Sequence, residues 1–122
     1  MPETKVDVLI VENDRGTARD LQRTLTELGY DPCAVAASGE EAFAAATAHL
    51  PDVALVSVGI PGTGDGIAVA GILRTRFNIP VVFLASEFDS VGGTRANQAG
   101  AYGYALKPFR PAQLRSVIEL AL

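Results

Sequence analysis

Cysteine occurs once in this chain, at Cys33, and histidine once, at His49. A lone thiol excludes an internal disulfide and a thiolate zinc cluster, and it suits a reducing cytosol. Its commonest fate is that of a small buried hydrophobe. His49 has no cysteine or histidine neighbour to suggest zinc, and its place near a helix C-terminus mildly favours a cation. No apolar run approaches the roughly 20 residues of a membrane span, and the opening MPETKV carries no apolar signal region. Basic residues are also sparse. The 10 Lys and Arg are scattered and outnumbered by 14 Asp and Glu, giving a formal charge of −4, so neither nucleic acid nor an anionic membrane is an expected partner. These absences point to a cytoplasmic domain.

What remains is apolar and periodic. The chain has 122 residues and is 48% hydrophobic, enough for one domain, 1–122, with a real core. Residues 6–11 are apolar and β-branched. Asp14 then caps a helix with Ala18, Leu21, Leu25 and Leu28 on one face, closed by Gly29. A short strand near 32–36 leads to Ser38 and Glu41 at capping-box spacing, and an alanine-rich helix with Phe43 runs to about His49. Pro51 opens a third strand, DVALVSV. A third helix carries Ile67, Ala70, Leu73 and Phe77 at helical spacing, and IPVVFLA is the fourth strand. The next helix is weakened by Gly92 and Gly93, each costing about 1 kcal/mol relative to Ala. AYGYAL is the fifth strand, and Pro111 begins a last helix with Leu114, Val117, Ile118 and Ala121 on its core face.

Strict alternation of nearly continuous apolar strands with helices predicts an α/β fold: three layers, flavodoxin-like (βα)5, with a parallel sheet in the order 2-1-3-4-5. In such sheets ligands gather outside the carboxyl ends of the strands. Those ends carry Glu12 and Asn13, Ser57, Ala85 and Ser86, and Lys107. Only one of these is a carboxylate.

The segments VLIVEND, PDVALVSVGIPGTGDGIAVAGILR, IPVVFLASE and GAYGYALKPF, in that order from Val8 to Phe109, resemble the receiver domain of bacterial two-component response regulators. The resemblance implies an aspartate after strand three that accepts a phosphoryl group from a histidine kinase, and two acids after strand one that hold Mg²⁺. It also implies a Thr or Ser after strand four, a lysine after strand five, and an aromatic switch on strand five. Glu12 matches the first acid, Lys107 the lysine and Tyr104 the aromatic. Three positions depart: Asn13 stands for the second acid, Ser57 for the phosphoacceptor and Ala85 for the Thr or Ser. The loop between Pro61 and Asp65 is one residue longer than in many receivers. Neither Asp52, at the opposite end of strand three, nor Asp65, at the next helix start, replaces the acceptor.

A serine hydroxyl stays protonated at neutral pH and needs a base to attack phosphorus, which neither Glu12 nor Asn13 obviously supplies. One remaining carboxylate predicts weak or absent Mg²⁺ binding. Ser57 reads as a small residue with a locally satisfied hydroxyl rather than a kinase-modified serine. Lys107 reads equally as an ion-pair partner of Glu12, Tyr104 as packing, and Asp14 as a cap, with a displaced metal ligand as its alternative.

The expectation is a non-enzymatic pseudo-receiver: no catalytic residue, no confident metal ligand, and phosphorylation-independent contact with a histidine kinase, response regulator or output domain. Its interaction surface would centre on Tyr104, Gly92 and Gly93, and a homodimer is compatible with it. The alternatives are an ordinary phosphoaccepting receiver using another acid, and a flavin- or small-ligand-binding domain. The second is disfavoured because ENDRGT lacks the glycine or Ser/Thr richness that wraps a phosphate.

Overall fold

The residues Val8 to Val11 are fully buried although they alternate in direction, because both faces of their strand are covered. A computed structural model of the chain describes residues 5–57, 66–85, 103–106 and 110–122. Within these, the elements run β1 (Asp7–Val11), α1 (Arg15–Glu27), β2 (Asp31–Ala36), α2 (Gly39–His49), β3 (Val53–Ser57), α3 (Gly66–Arg76), β4 (Val81–Ala85), β5 (Gly103–Leu106) and α4 (Pro111–Ala121). The strands form one parallel sheet in the order β2-β1-β3-β4-β5, as the alternation predicts. The helix expected around Gly92 and Gly93 lies outside the described residues.

Two cores sandwich the sheet. On one face Leu9, Val11, Ala54, Val56, Val81 and Phe83 pack beneath α2 and α3. On the other, Val8, Ile10, Val53, Leu55, Val82 and Leu84 pack beneath Leu21 and Leu25 of α1 and Leu114 and Ile118 of α4. Truncating any of these leucines to Ala would cost about 2–5 kcal/mol through lost transfer energy and the cavity left behind.

The helix boundaries follow local chemistry. Asp14 Oδ2 accepts the Thr17 backbone N–H at 2.9 Å and the Thr17 hydroxyl at 2.6 Å, satisfying an orphan donor of the first turn of α1. At the other end Gly29 has φ +93°, its N–H reaches the Thr26 carbonyl, and the Tyr30 N–H reaches the Leu25 carbonyl. This is a Schellman closure, with buried Tyr30 and Leu25 in the same core. The Leu28 carbonyl accepts from Arg115 Nη2 of α4 at 2.7 Å, supplying a cation that the last turn of α1 lacks. Ser38 caps α2 by accepting the Glu41 N–H at 3.3 Å. The return bond of the expected box is displaced: Glu41 Oε1 accepts from Ala37 N–H, one residue earlier than the cap.

Leu28, on the apolar face of α1 as expected, packs half-buried against the core from the C-cap position. Other expectations need correction. Phe77 lies beyond α3, and its ring stacks on Phe43 with centroids 6.3 Å apart, tying α3 to α2. Val117, by contrast, packs against the core with Leu114 and Ile118 as expected, half-buried. Cys33 is half-buried on edge strand β2; burial, then the charges of Asp7 and Asp31, push its thiol up. That combination suppresses the reactive thiolate.

Leu50 ends α2 in the left-handed region, φ 47°, while 74% exposed, so it pays backbone strain without burying its side chain. Gly29→Ala should therefore lower stability by about 1–2 kcal/mol and Leu50→Gly raise it by roughly 0.5–1 kcal/mol in urea unfolding. At the start of the sheet, the Asp7 N–H donates to Asp52 Oδ2 at 2.8 Å. Partial burial, then the charges of Asp31 and Asp52, raise the Asp7 carboxyl pKa above its ordinary value. The folded state thus holds this proton more tightly, a contribution present below the unfolded pKa and lost as pH rises through the folded one. Asp7→Asn should raise the unfolding midpoint at neutral pH, with the advantage fading below the carboxylate range. An equal shift at both would show that charge is not the cause.

Candidate functional site

Because both sheet faces are buried, polar side chains of the central strands can emerge only at strand ends. Among the buried residues described, two are polar: Glu12, immediately after β1, and Ser57, the last residue of β3, at 3% and 4% exposure. β1 and β3 pair in parallel with Val11 opposite Val56, so Glu12 and Ser57 are the next pair along that register. Strand alternation puts Ser57 on the side of Val53 and Leu55, the face covered by α1 and α4.

The loop after β1 is self-contained. The Glu12 N–H donates to the Ala36 carbonyl at 2.9 Å, extending the β1–β2 ladder by one residue, and Glu12 Oε2 accepts the Asp14 N–H at 3.2 Å. Asp14 in turn commits Oδ2 to Thr17. Two carboxylates on this loop are thus engaged with nearby N–H and O–H donors. Asn13, between them, is exposed rather than buried beside Glu12. No buried side-chain nitrogen or oxygen among the described residues lacks a hydrogen-bond partner. A buried carboxylate without such partners would be expensive to keep charged.

The structure brings Glu12 and Ser57 together as adjacent strand ends. Ala85 closes β4, one residue past Leu84, which pairs with Ser57, and it lies opposite Leu106 of β5. Tyr104 lies in β5 opposite Phe83. For Ala85 and Tyr104 the backbone placement alone is described, and Lys107, Asp65, Gly92 and Gly93 lie outside the described residues. Asp52 sits at the far end of β3, bonded to the Asp7 N–H. The sequence reading missed Thr17, whose backbone N–H and hydroxyl both donate to Asp14 and hold the loop; the Asp-x-x-Thr spacing carries that signal.

The donor set fits a divalent cation poorly. Mg²⁺ wants near-octahedral oxygen ligands with one or two carboxylates free to turn toward it. Here the buried carboxylate of Glu12 already accepts from the backbone, Asn13 offers a neutral amide, and Ser57 a neutral hydroxyl. Among the described residues no cluster of three or more His, Cys, Asp or Glu is arranged to hold a metal.

Comparison with known proteins bears on this crevice. Residues 8–119 match the family model of the response regulator receiver domain. The chain is 38% identical over 117 residues to the transcriptional regulatory protein PdtaR of Mycobacterium tuberculosis, covering 94% of this chain and 56% of that protein. It is 34% identical over 115 residues to the DNA-binding response regulator MtrA of Mycolicibacterium smegmatis, covering 94% of this chain and 50% of the other. The chain thus spans about half the length of these relatives. Among solved structures, the signal receiver domain of a modulated diguanylate cyclase from Desulfovibrio desulfuricans G20 superposes with a TM-score of 0.90 at 37% identity, covering 97% of this chain and 94% of that one. A response regulator from Chloroflexus aurantiacus J-10-fl gives 0.88 at 31% identity, covering 98% and 100%.

Titration with Mg²⁺ should show no saturation at millimolar concentration, while Asn13→Asp, which adds an acid beside Glu12, should strengthen binding by roughly tenfold or less. A saturable sub-millimolar site in the unaltered chain, read by calorimetry, would show that Glu12 turns toward the ion.

Proposed function

This chain belongs to the response regulator receiver domain family, and on that footing we propose that it acts in two-component signalling as a phosphorylation-independent protein-interaction module. The observation that carries the reading is Ser57: the end of β3, where the resemblance implies an attacking carboxylate, presents a buried, neutral hydroxyl. Attack on phosphorus by that hydroxyl needs a base to take its proton, and the neighbouring carboxylate, Glu12, accepts a backbone N–H. Asn13 removes a metal acid and Ala85 the hydroxyl that would report a phosphoryl group. These three departures lie along one mechanism, so they favour a domain that keeps the scaffold and gives up the phosphoryl chemistry.

The ordinary phosphoaccepting reading needs another acid. The nearest on β3 is Asp52, which belongs to the opposite end of the sheet. On our reading the fold is a single (βα)5 domain over 1–122. Its partner is a cytoplasmic signalling protein, a histidine kinase, another response regulator or an output domain. That partner docks on the side of β5 and α4, with Tyr104, Gly92 and Gly93 in the surface and Lys107 serving as a structural cation.

Mass spectrometry after incubation with acetyl phosphate and Mg²⁺ tests this. No hydroxylamine-labile phosphoryl adduct should form on the unaltered chain, and Ser57→Asp alone should label weakly. Ser57→Asp with Asn13→Asp should label well, because nucleophile and metal acids are then both present. Adding Ala85→Thr should be needed before labelling changes hydrogen exchange at β5. A labile adduct on the unaltered chain would overturn the reading, and an unlabelled triple variant would mean the crevice differs by more than its acids.

A further inference from the structure

The helices on the two faces of the sheet treat solvent differently. α1 turns Arg15, Arg19, Gln22 and Arg23 outward, as a helix packed on one side should. α3 has no polar side chain anywhere from 66 to 73, so its outer side is as apolar as its core side. Ile72 on that outer side is half-buried and belongs to neither core. A helix that is apolar all round is normally covered all round. α2, tied to α3 by the stacked rings of Phe43 and Phe77, shares the feature across 42–46.

The outer rows of the two helices match. Glu40, Ala44, Thr47 and Ala48 are exposed along α2, and Ala68, Ile72, Thr75 and Arg76 follow one another along α3 at the same spacing. Residues so spaced share one side of a helix. Both threonine hydroxyls donate back into their own helix, Thr47 to the Phe43 carbonyl at 3.0 Å and Thr75 to the Gly71 carbonyl at 2.7 Å. They can therefore be covered by a partner without losing a hydrogen bond. The charges stand at opposite ends, Glu40 in the first turn of α2 and Arg76 in the last turn of α3. Both helices return from the end of one strand to the start of the next in a parallel sheet, so they run side by side in the same direction. Glu40 and Arg76 thus occupy diagonal corners of the shared face. Glu41, the other acid of that turn, is taken up by the cap with Ala37 and Ser38.

We propose that this face of α2 and α3 is an interface between two copies of the chain, related by a two-fold axis lying in the face. Such an axis, set perpendicular to the line between two diagonal corners, exchanges those corners. Glu40 of each copy then meets Arg76 of the other, around a centre of Ala44, Ala48, Ala68 and Ile72. The acid and the base that complement each other belong to one chain, which is why the occupant is a second copy. This surface is separate from that of β5 and α4 and uses no phosphoryl chemistry, so it stands or falls apart from the function proposed above.

Sedimentation equilibrium of the full chain from micromolar to millimolar concentration decides it, and a reversible monomer–dimer equilibrium is expected. Ile72→Glu, at a position outside both cores, should weaken association by about tenfold or more. Glu40→Arg and Arg76→Glu should each weaken it as well. An equimolar mixture of those two variants should restore it, because one copy then offers two arginines and the other two glutamates at the corners that meet. That restoration also separates lost association from a helix end weakened by the wrong charge. Leu120→Glu, at a 78% exposed leucine on the other side of the sheet, should leave association unchanged. A monomer throughout the range, a dimer indifferent to Ile72→Glu, a mixture no tighter than either variant alone, or a dimer lost in Leu120→Glu would overturn the proposal.

Discussion

Burial of the sheet on both faces is the constraint from which the rest follows. Val8 to Val11 and Val53 to Val56 are fully buried while their side chains point alternately to two cores, so no position inside β1 or β3 can carry a charge cheaply. Polar chemistry is pushed to the point where each strand runs out of cover. Glu12 and Ser57 meet there because they are register partners at the ends of neighbouring parallel strands. A parallel sheet makes this convergence automatic, since all strands run out of cover at the same end.

Replacing a carboxylate by a hydroxyl at that convergence alters the local electrostatics more than the packing. Two carboxylates sharing a buried site repel and require a cation or a proton to coexist. With Ser57 beside Glu12, one carboxylate stands at these two strand ends, and the Asp14 backbone N–H donates to it.

The fold was legible wherever a single element carries its own signal. The Asp14 and Ser38 caps, the leucine stripe of α1, Gly29 at a helix end and Pro111 at a helix start are local choices, and they agree with the global topology. The register of the sheet placed Glu12 beside Ser57 as the strand-end reading implied. What escaped depends on partners remote in sequence or on backbone shape. Phe77 has helical spacing, yet it leaves α3 to stack on Phe43. Nothing about leucine announces a left-handed turn at Leu50.

The bond from Arg115 to the Leu28 carbonyl spans 87 positions of the chain. In vectorial synthesis α1 emerges early and α4 last, so this carbonyl is hydrated until the final helix arrives. The Schellman closure at Gly29 is complete from local residues alone, whereas the cation at the end of α1 comes from the far end of the chain. The end of α1 thus records whether the whole topology has closed. The amides of Leu28, Gly29 and Tyr30 bond within α1 itself, so only this carbonyl looks to a remote partner.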